Sequence, residues 1–181
     1  LEIGSNDGTF LMNFKKFYHV GVEPSKSVHV EAIKNKINSK NKFFDDNFVR
    51  EYIKKNIKFD VIFGSNVICH IPNQNNLIKN IKKILNDDGV FIFEEPYLGS
   101  MYKKVSYDQI YDEHIYMFSA TAISKIYKKY SLTLIDAIPQ ITHGGSMRYI
   151  IKKKLGKKIS PRLKKILLNE KQNNINNLKG C

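Results

Sequence analysis

Short apolar runs alternate with longer amphipathic stretches along this chain, and the alternation predicts its elements. "LEIG", residues 1–4, reads as the end of a buried strand that runs into "SNDG". Phe10, Leu11, Phe14 and Phe17 then recur at helical spacing. "HVGVEP" is a second short strand, ending at Glu23 and stopped by Pro24. Residues 26–37 carry Val28, Ala32, Ile33 and Ile37 on one helical side. "KFFDD" reads as a weak third strand, and residues 47–55 as a short helix. "FDVIFGSN" is a fourth strand, a continuous apolar run ending in small and polar residues. Residues 74–86 place Leu77, Ile78, Ile81, Ile84 and Leu85 on a helical stripe, and "DDGV" turns into a fifth strand, "VFIFEEP".

The rhythm changes after Pro96. Residues 97–118 read as an irregular excursion, and 119–130 as a helix with Ala122, Ile123, Ile126 and Tyr127 apolar. "LTLIDAI" and "MRYIIKK" are two further strands, and the Gly-containing link "PQITHGGS" predicts a hairpin that makes the last strand antiparallel. Buried strands alternating with amphipathic helices imply an α/β, Rossmann-like, doubly wound and mostly parallel sheet. Residues 1–155 form the expected domain, with its first strand entered midway. Residues 156–181 form a Lys- and Asn-rich tail, helical near Arg162–Leu168, read as the start of a C-terminal domain.

Composition narrows the class. A chain of 181 residues with 42% hydrophobic content can bury a real core. No apolar run approaches the ~20 residues of a membrane helix, and no secretory signal opens the chain. Cys69 and Cys181 offer neither a disulfide framework nor metal-ligand spacing, so the expected setting is reducing and cytoplasmic, with no metal. The net charge of +13 raises a nucleic-acid reading. Its distribution argues otherwise, because residues 152–181 hold ten Lys or Arg against the single acid Glu170. Most of the excess is a solvated tail.

The first strand-to-helix turn, "EIGSNDG", holds candidate chemistry. Gly4 and Gly8 let a ligand approach the backbone, and a helix N-terminus favours an anion. Glu23 ends the second strand, where a carboxylate can accept both hydroxyls of a ribose. The G-x-G-x-x-G dinucleotide fingerprint is absent, because Ser5, Asn6 and Asp7 separate the two glycines. Glu2, Gly4, Ser5, Asn6, Gly8, Glu23 and Pro24, with an acidic pair further on, resemble the cofactor site of class I S-adenosylmethionine-dependent methyltransferases. The resemblance implies that Glu23 holds the ribose, that Asp45 or Asp46 faces the adenine amino group, and that Ser65 and Asn66 line the methionine side. A Rossmann-like sheet binding another nucleotide is the bland alternative.

"SNVICHIPN" lacks the Asn-Pro-Pro-aromatic signature of amino-methylating nucleic-acid enzymes. "EEPYLGSM", "YDQIYDEHIYMFS" and "THGGSMRY" together resemble the sugar C-methyltransferases of branched deoxysugar biosynthesis, which act on nucleotide-linked 4-keto-6-deoxyhexoses. The likeness runs in order from residue 1 to about 155, with Asp112 standing where the family often has His. It implies a small zinc domain before residue 1 and a further domain after residue 181.

Carbon methylation explains the row Asp112-Glu113-His114 in apolar surroundings. A sugar carbon becomes nucleophilic only when it lies α to a ketone and loses a proton. That proton needs a base with a pKa near neutrality, which histidine supplies. His114 is the expected base. Glu113 would orient it or bind sugar, and Tyr111 would stabilise the enolate oxygen or position substrate. His70, just past strand four, Tyr97, at the end of strand five, His143, in the hairpin, and Arg148, a phosphate partner, are candidate substrate contacts. Three competitors stay open: a small-molecule O- or N-methyltransferase, a basic nucleic-acid-binding module, and a catalytically silent cofactor-binding module. Sugar identity and oligomeric state are not written in these residues.

Overall fold

A computed structural model describes residues 1–153 and 158–175. Seven strands form one sheet: β1 (Glu2–Ile3), β2 (Gly21–Val22), β3 (Ser39–Lys40), β4 (Phe59–Ser65), β5 (Leu85–Pro96), β6 (Leu132–Gln140) and β7 (Ser146–Lys153). Their order is β3-β2-β1-β4-β5-β7-β6. The first five strands run parallel, and β7 inserts antiparallel between β5 and β6. The expected α/β sheet with an antiparallel last strand is therefore present.

The helices are α1 (Lys26–Lys34), α2 (Asp46–Lys54), α3 (Gln74–Ile84), α4 (Leu98–Lys104), α5 (Ala120–Lys128) and α6 (Pro161–Gln172). Capping explains several starts. Asp45, Asn73, Ser119 and Ser160 each accept a backbone N–H from the first turn that follows them. Pro161 at the first helical position of α6 sacrifices no helical hydrogen bond. Helix α1 ends earlier than its apolar spacing suggests. Lys36 turns left-handed, with φ of 61°, and Ile37 folds back to pack on Leu11 and Ala32.

The core is aromatic. Phe93 of β5 stacks on Tyr149 of β7, ring centroids 4.8 Å apart, and Tyr127 of α5 lies 6.0 Å from it. Phe91, Phe93, Ile62, Ile78, Ile81 and Ile123 are all fully buried in this layer. Burying such a side chain contributes roughly 1.5–3 kcal/mol. Helix α6 packs on α5 and β6 and buries Leu163.

Three segments depart from the sequence pattern. The stretch Phe10–Phe17 is only a 3-10 turn over Leu11–Phe14, and Phe10, Phe14 and Phe17 stay exposed. Phe, Asn, Tyr and His rank low as helix formers, so local preference does not hold a helix there. Stacking of Phe10 on Phe63, centroids 4.3 Å apart, sets the path instead. The third strand is Ser39–Lys40 and not "KFFDD", which lies beyond it and ends as the N-terminus of α2. The excursion after Pro96 is also partly regular, holding α4 and a 3-10 turn at Tyr107–Gln109.

Candidate active site

The loop after β1 is shaped by its glycines and by Glu23. Gly4 (φ 66°) and Gly8 (φ 81°) are left-handed, and a Cβ on Gly4 would lie 2.7 Å from Val67. Asn6 is left-handed as well, with φ of 50°, a conformation Asn tolerates better than most residues. The Gly4 and Ser5 amides donate to the Val22 carbonyl. Glu23, at the end of β2, accepts the Asn6 amide on Oε2 (3.1 Å) and the Ser25 amide on Oε1 (2.8 Å). One carboxylate thus ties the β1 loop to the start of α1 and keeps lone pairs for a diol.

Around this loop lie buried polar atoms without partners: Glu2 Oε2, Ser5 Oγ and Asn66 Oδ1. Native proteins satisfy nearly all such atoms, so exceptions point to an unfilled demand. Glu2 is only 5% exposed, and burial pushes its carboxyl up to about 8. A carboxyl in that state gains most from a cation brought beside it. The residues present fit S-adenosylmethionine. Glu2 could hold the amino-acid ammonium, and Glu23 could hold the ribose.

The acids expected at the adenine do not follow β3 directly. Asp45 caps α2 by accepting the Phe48 amide (2.9 Å). Asp46 turns to α3, where Asn76 donates to it (3.2 Å) and Lys83 lies 3.8 Å away. The position after β3 belongs to Asn41, whose side chain donates to the Glu23 and Pro24 carbonyls. The shortened third strand is the physical reason.

At the end of β4 the chain turns through a 3-10 segment, Ile68–His70. Glu95, completely buried at the end of β5, accepts the Val67 amide (2.9 Å) and the Ile68 amide (2.6 Å) on one oxygen. Burial pushes the Glu95 carboxyl above its ordinary value. Gln74 donates to the Ile68 and Ile71 carbonyls. His70 is therefore presented by a braced turn. Its pKa is lowered first by burial, then by His114 beside it.

His114 arrives from the segment after α4. Its Nδ1 lies 2.9 Å from the Gln109 carbonyl oxygen, and its Nε2 lies 2.7 Å from the Tyr111 hydroxyl. A carbonyl can only accept, so Nδ1 carries the hydrogen. In the neutral ring the lone pair is then on Nε2, and Tyr111 donates to it. The His70 and His114 rings meet edge to face, centroids 5.3 Å apart, which seats His114 beside the carboxyl end of β4. Tyr116 donates to the Pro72 carbonyl (2.5 Å) and pins the segment there.

Two expectations for this segment change. The ring is oriented by Gln109 and Tyr111, while Glu113 is exposed. The Glu113 charge still bears on His70 and Tyr111, the two rings beside His114. The apolar surroundings are not a buried wrapping either. Ile110, Tyr111 and Ile115 are roughly half or more exposed, and burial resumes at Phe118.

The remaining candidates divide. His143, left-handed in the hairpin, places Nε2 3.2 Å from the Asn66 amide nitrogen and so reaches the cofactor side of β4. Arg148 is held by Glu94, with Nε at 3.1 Å and the terminal nitrogen at 2.9 Å. Tyr97 donates to Glu170 of α6 (2.8 Å). Glu95, Cys69, Glu170 and the Gln109 carbonyl went unassigned from sequence. Only Glu95, an acid at the carboxyl end of a central strand, carried a visible signal.

A glycine turn and a strand-two acid at the carboxyl ends of a 3-2-1-4-5-7-6 sheet define an S-adenosylmethionine-dependent class I methyltransferase. A methyltransferase domain family matches residues 1–137, and the chain belongs to it. S-adenosylmethionine is the cofactor. C-methyltransferase NovU from Streptomyces niveus is 26% identical over 149 residues, covering 81% of this chain. The chain spans 36% of that relative's length. An S-adenosylmethionine-dependent methyltransferase from Clostridium acetobutylicum superposes with a TM-score of 0.65 at 17% identity, covering 85% of this chain and 83% of the other. The plantazolicin methyltransferase BpumL, in complex with a desmethyl analogue and S-adenosylhomocysteine, gives 0.62 at 11% identity, covering 84% of this chain and 76% of the other. Both structures share the fold.

Proposed function

We propose that the protein methylates a carbon α to the ketone of a nucleotide-linked keto-deoxysugar. The observation that carries this reading is the fixed tautomer of His114, whose Nε2 lone pair stands beside the carboxyl end of β4. The likeness to C-methyltransferase NovU supports it, as do the "YDQIYDEHIYMFS" and "THGGSMRY" stretches.

S-adenosylmethionine, when bound, supplies an electrophilic methyl group. The chain supplies the rest. Nε2 of His114 takes the α-proton, and the Gln109 carbonyl keeps the resulting imidazolium oriented through Nδ1–H. Tyr111, released from Nε2, donates its hydroxyl to the enolate oxygen as charge develops there. Burial, and then His114 beside it, disfavour a charge on His70. Asn66 and His143 bridge the cofactor and substrate sides. Among the described residues no helix is long and apolar enough to cross a membrane. The small number of cysteines supports a reducing, cytoplasmic setting.

The test uses a nucleoside-diphosphate 4-keto-6-deoxyhexose and S-adenosylmethionine carrying a 13C methyl. Carbon NMR should show a new C–CH3 resonance, and the 4-hydroxy sugar made by reducing the ketone should not react. Methylation of that reduced sugar at oxygen would replace this reading with O-methylation. His114→Ala should lose ~10²–10⁴-fold in turnover. It should also stop exchange of the α-proton with deuterated water while leaving cofactor affinity unchanged.

A further inference from the structure

We propose that Cys69, His70 and His114 form a binding site for a soft divalent cation of the zinc class, and that the bound cation occupies the Nε2 lone pair of His114. One ligand atom from each of the three side chains lies within 4.8 Å of the others. Among the described residues, no other three His, Cys, Asp or Glu side chains are grouped in this way.

The geometry suits a tetrahedral ion. With Zn–N bonds of roughly 2.0–2.1 Å, two imidazoles on one zinc hold their ring centres about 5 Å apart. The His70 and His114 centroids are 5.3 Å apart. Ligand atoms on a tetrahedral zinc stand roughly 3.5 Å from one another, so the three must draw together by about 1 Å. The halves of the site differ in how they meet that demand. Cys69 and His70 sit in the turn braced by Glu95 and Gln74. His114 sits in a partly exposed segment outside that brace, so the remaining adjustment falls to its side.

The donor set selects the metal. A thiolate and two imidazoles suit zinc and its tetrahedral relatives, whereas magnesium and calcium need oxygen ligands. His114 already donates Nδ1–H to a backbone carbonyl, the arrangement that orients a metal-binding imidazole. Binding forms a metal–sulfur bond and breaks the Cys69 S–H bond, with the proton passing to water. The Tyr111 hydroxyl is displaced from Nε2. Three protein ligands leave a fourth position for water. No oxidation state changes.

The binding stands on geometry alone, while its consequence rests on the proposed role of His114. A cation on Nε2 removes the base, so zinc should inhibit proton abstraction without displacing the cofactor.

Cobalt(II), added at one equivalent to the whole protein, reports the site directly. Expected are the visible d–d bands of a four-coordinate ion and a thiolate-to-cobalt charge-transfer band, both abolished by zinc. Cys69→Ser should lose the charge-transfer band, His70→Ala should lose the four-coordinate spectrum, and Cys181→Ser should retain both. Absence of a four-coordinate spectrum, or a charge-transfer band that survives Cys69→Ser, would overturn the site. X-ray absorption at the zinc edge of the unaltered protein guards against variants that fail to fold. A first shell with sulfur and imidazole supports the site, and one of only oxygen and nitrogen overturns it. A fully occupied site with undiminished α-proton exchange supports the site and overturns His114 as the base.

Discussion

Replacing Glu2 with Gln keeps the shape of the side chain and removes its ability to ionise. Burial raises the Glu2 carboxyl from 4.5 to about 8. In the unfolded chain the same group ionises near 4.5. Below that pH it is protonated in both states and has no effect on stability. Between 4.5 and 8 only the unfolded chain gives up the proton, and each pH unit removes about 1.36 kcal/mol of stability. Above 8 both states are ionised and the loss is constant. At pH 7 it amounts to about 3 kcal/mol, a substantial part of the ~5–15 kcal/mol by which domains are stable. The Gln variant escapes this loss. Urea unfolding of both proteins without cofactor, from pH 4.5 to 8.5, should show the variant gaining on the parent as pH rises. The difference between the two curves cancels every other titration. A difference that stays flat with pH would refute the claim that Glu2 is held neutral by burial. The same substitution should weaken S-adenosylhomocysteine binding at least tenfold by calorimetry, because a charge-assisted contact contributes about 1.5–3 kcal/mol.

Glu23→Ala should cost cofactor affinity by about 1–3 kcal/mol, through the ribose and through loss of its hold on the Asn6 and Ser25 amides. Unchanged affinity in calorimetry would place Glu23 outside the site. Tyr111→Phe should slow α-proton exchange roughly 10²-fold, the scale for removing one donor to a developing oxyanion, and exchange at the parent rate would leave Tyr111 without that role. Glu170→Gln should destabilise the protein by about 1–3 kcal/mol, since the carboxylate is completely buried and accepts from Tyr97 and from the Ala120 and Thr121 amides. Thermal unfolding measures it, and an unaltered midpoint would mean that those donors find other partners.

The sheet was legible because its strands announce themselves. "FDVIFGSN" and "VFIFEEP" are largely apolar runs of the kind a parallel sheet covered by helices uses. The hairpin showed in its paired glycines. The Phe10–Phe17 stretch misled because four apolar residues at helical spacing can also mark a turn whose rings pack on a strand. The third strand was misplaced for a related reason. A two-residue strand has no periodicity to read, and "KFFDD" is more apolar than the "SK" that pairs. At the site, residue types could be named but not their partners. Sequence pointed to His114 and Tyr111 because their chemistry suits a base and a donor. It could not show that a main-chain carbonyl orients the ring, because every residue carries one. Tyr97 and Arg148 look like binding residues by type, and sequence could not show their long-range partners Glu170 and Glu94.

The Glu170 contact also bears on how the chain is made. The first amides of α5 are satisfied by an acceptor fifty residues further along. During synthesis, at ~5–20 residues per second, those donors wait some seconds before residue 170 is added. Until then α5 and the β6–β7 hairpin lack both their polar clasp and the apolar cover of α6. A nascent chain stalled before residue 170 should therefore carry an ordered parallel half and a loosely held antiparallel edge. Ribosome-bound chains of increasing length, probed by limited proteolysis, should become resistant across residues 120–153 only after α6 has emerged.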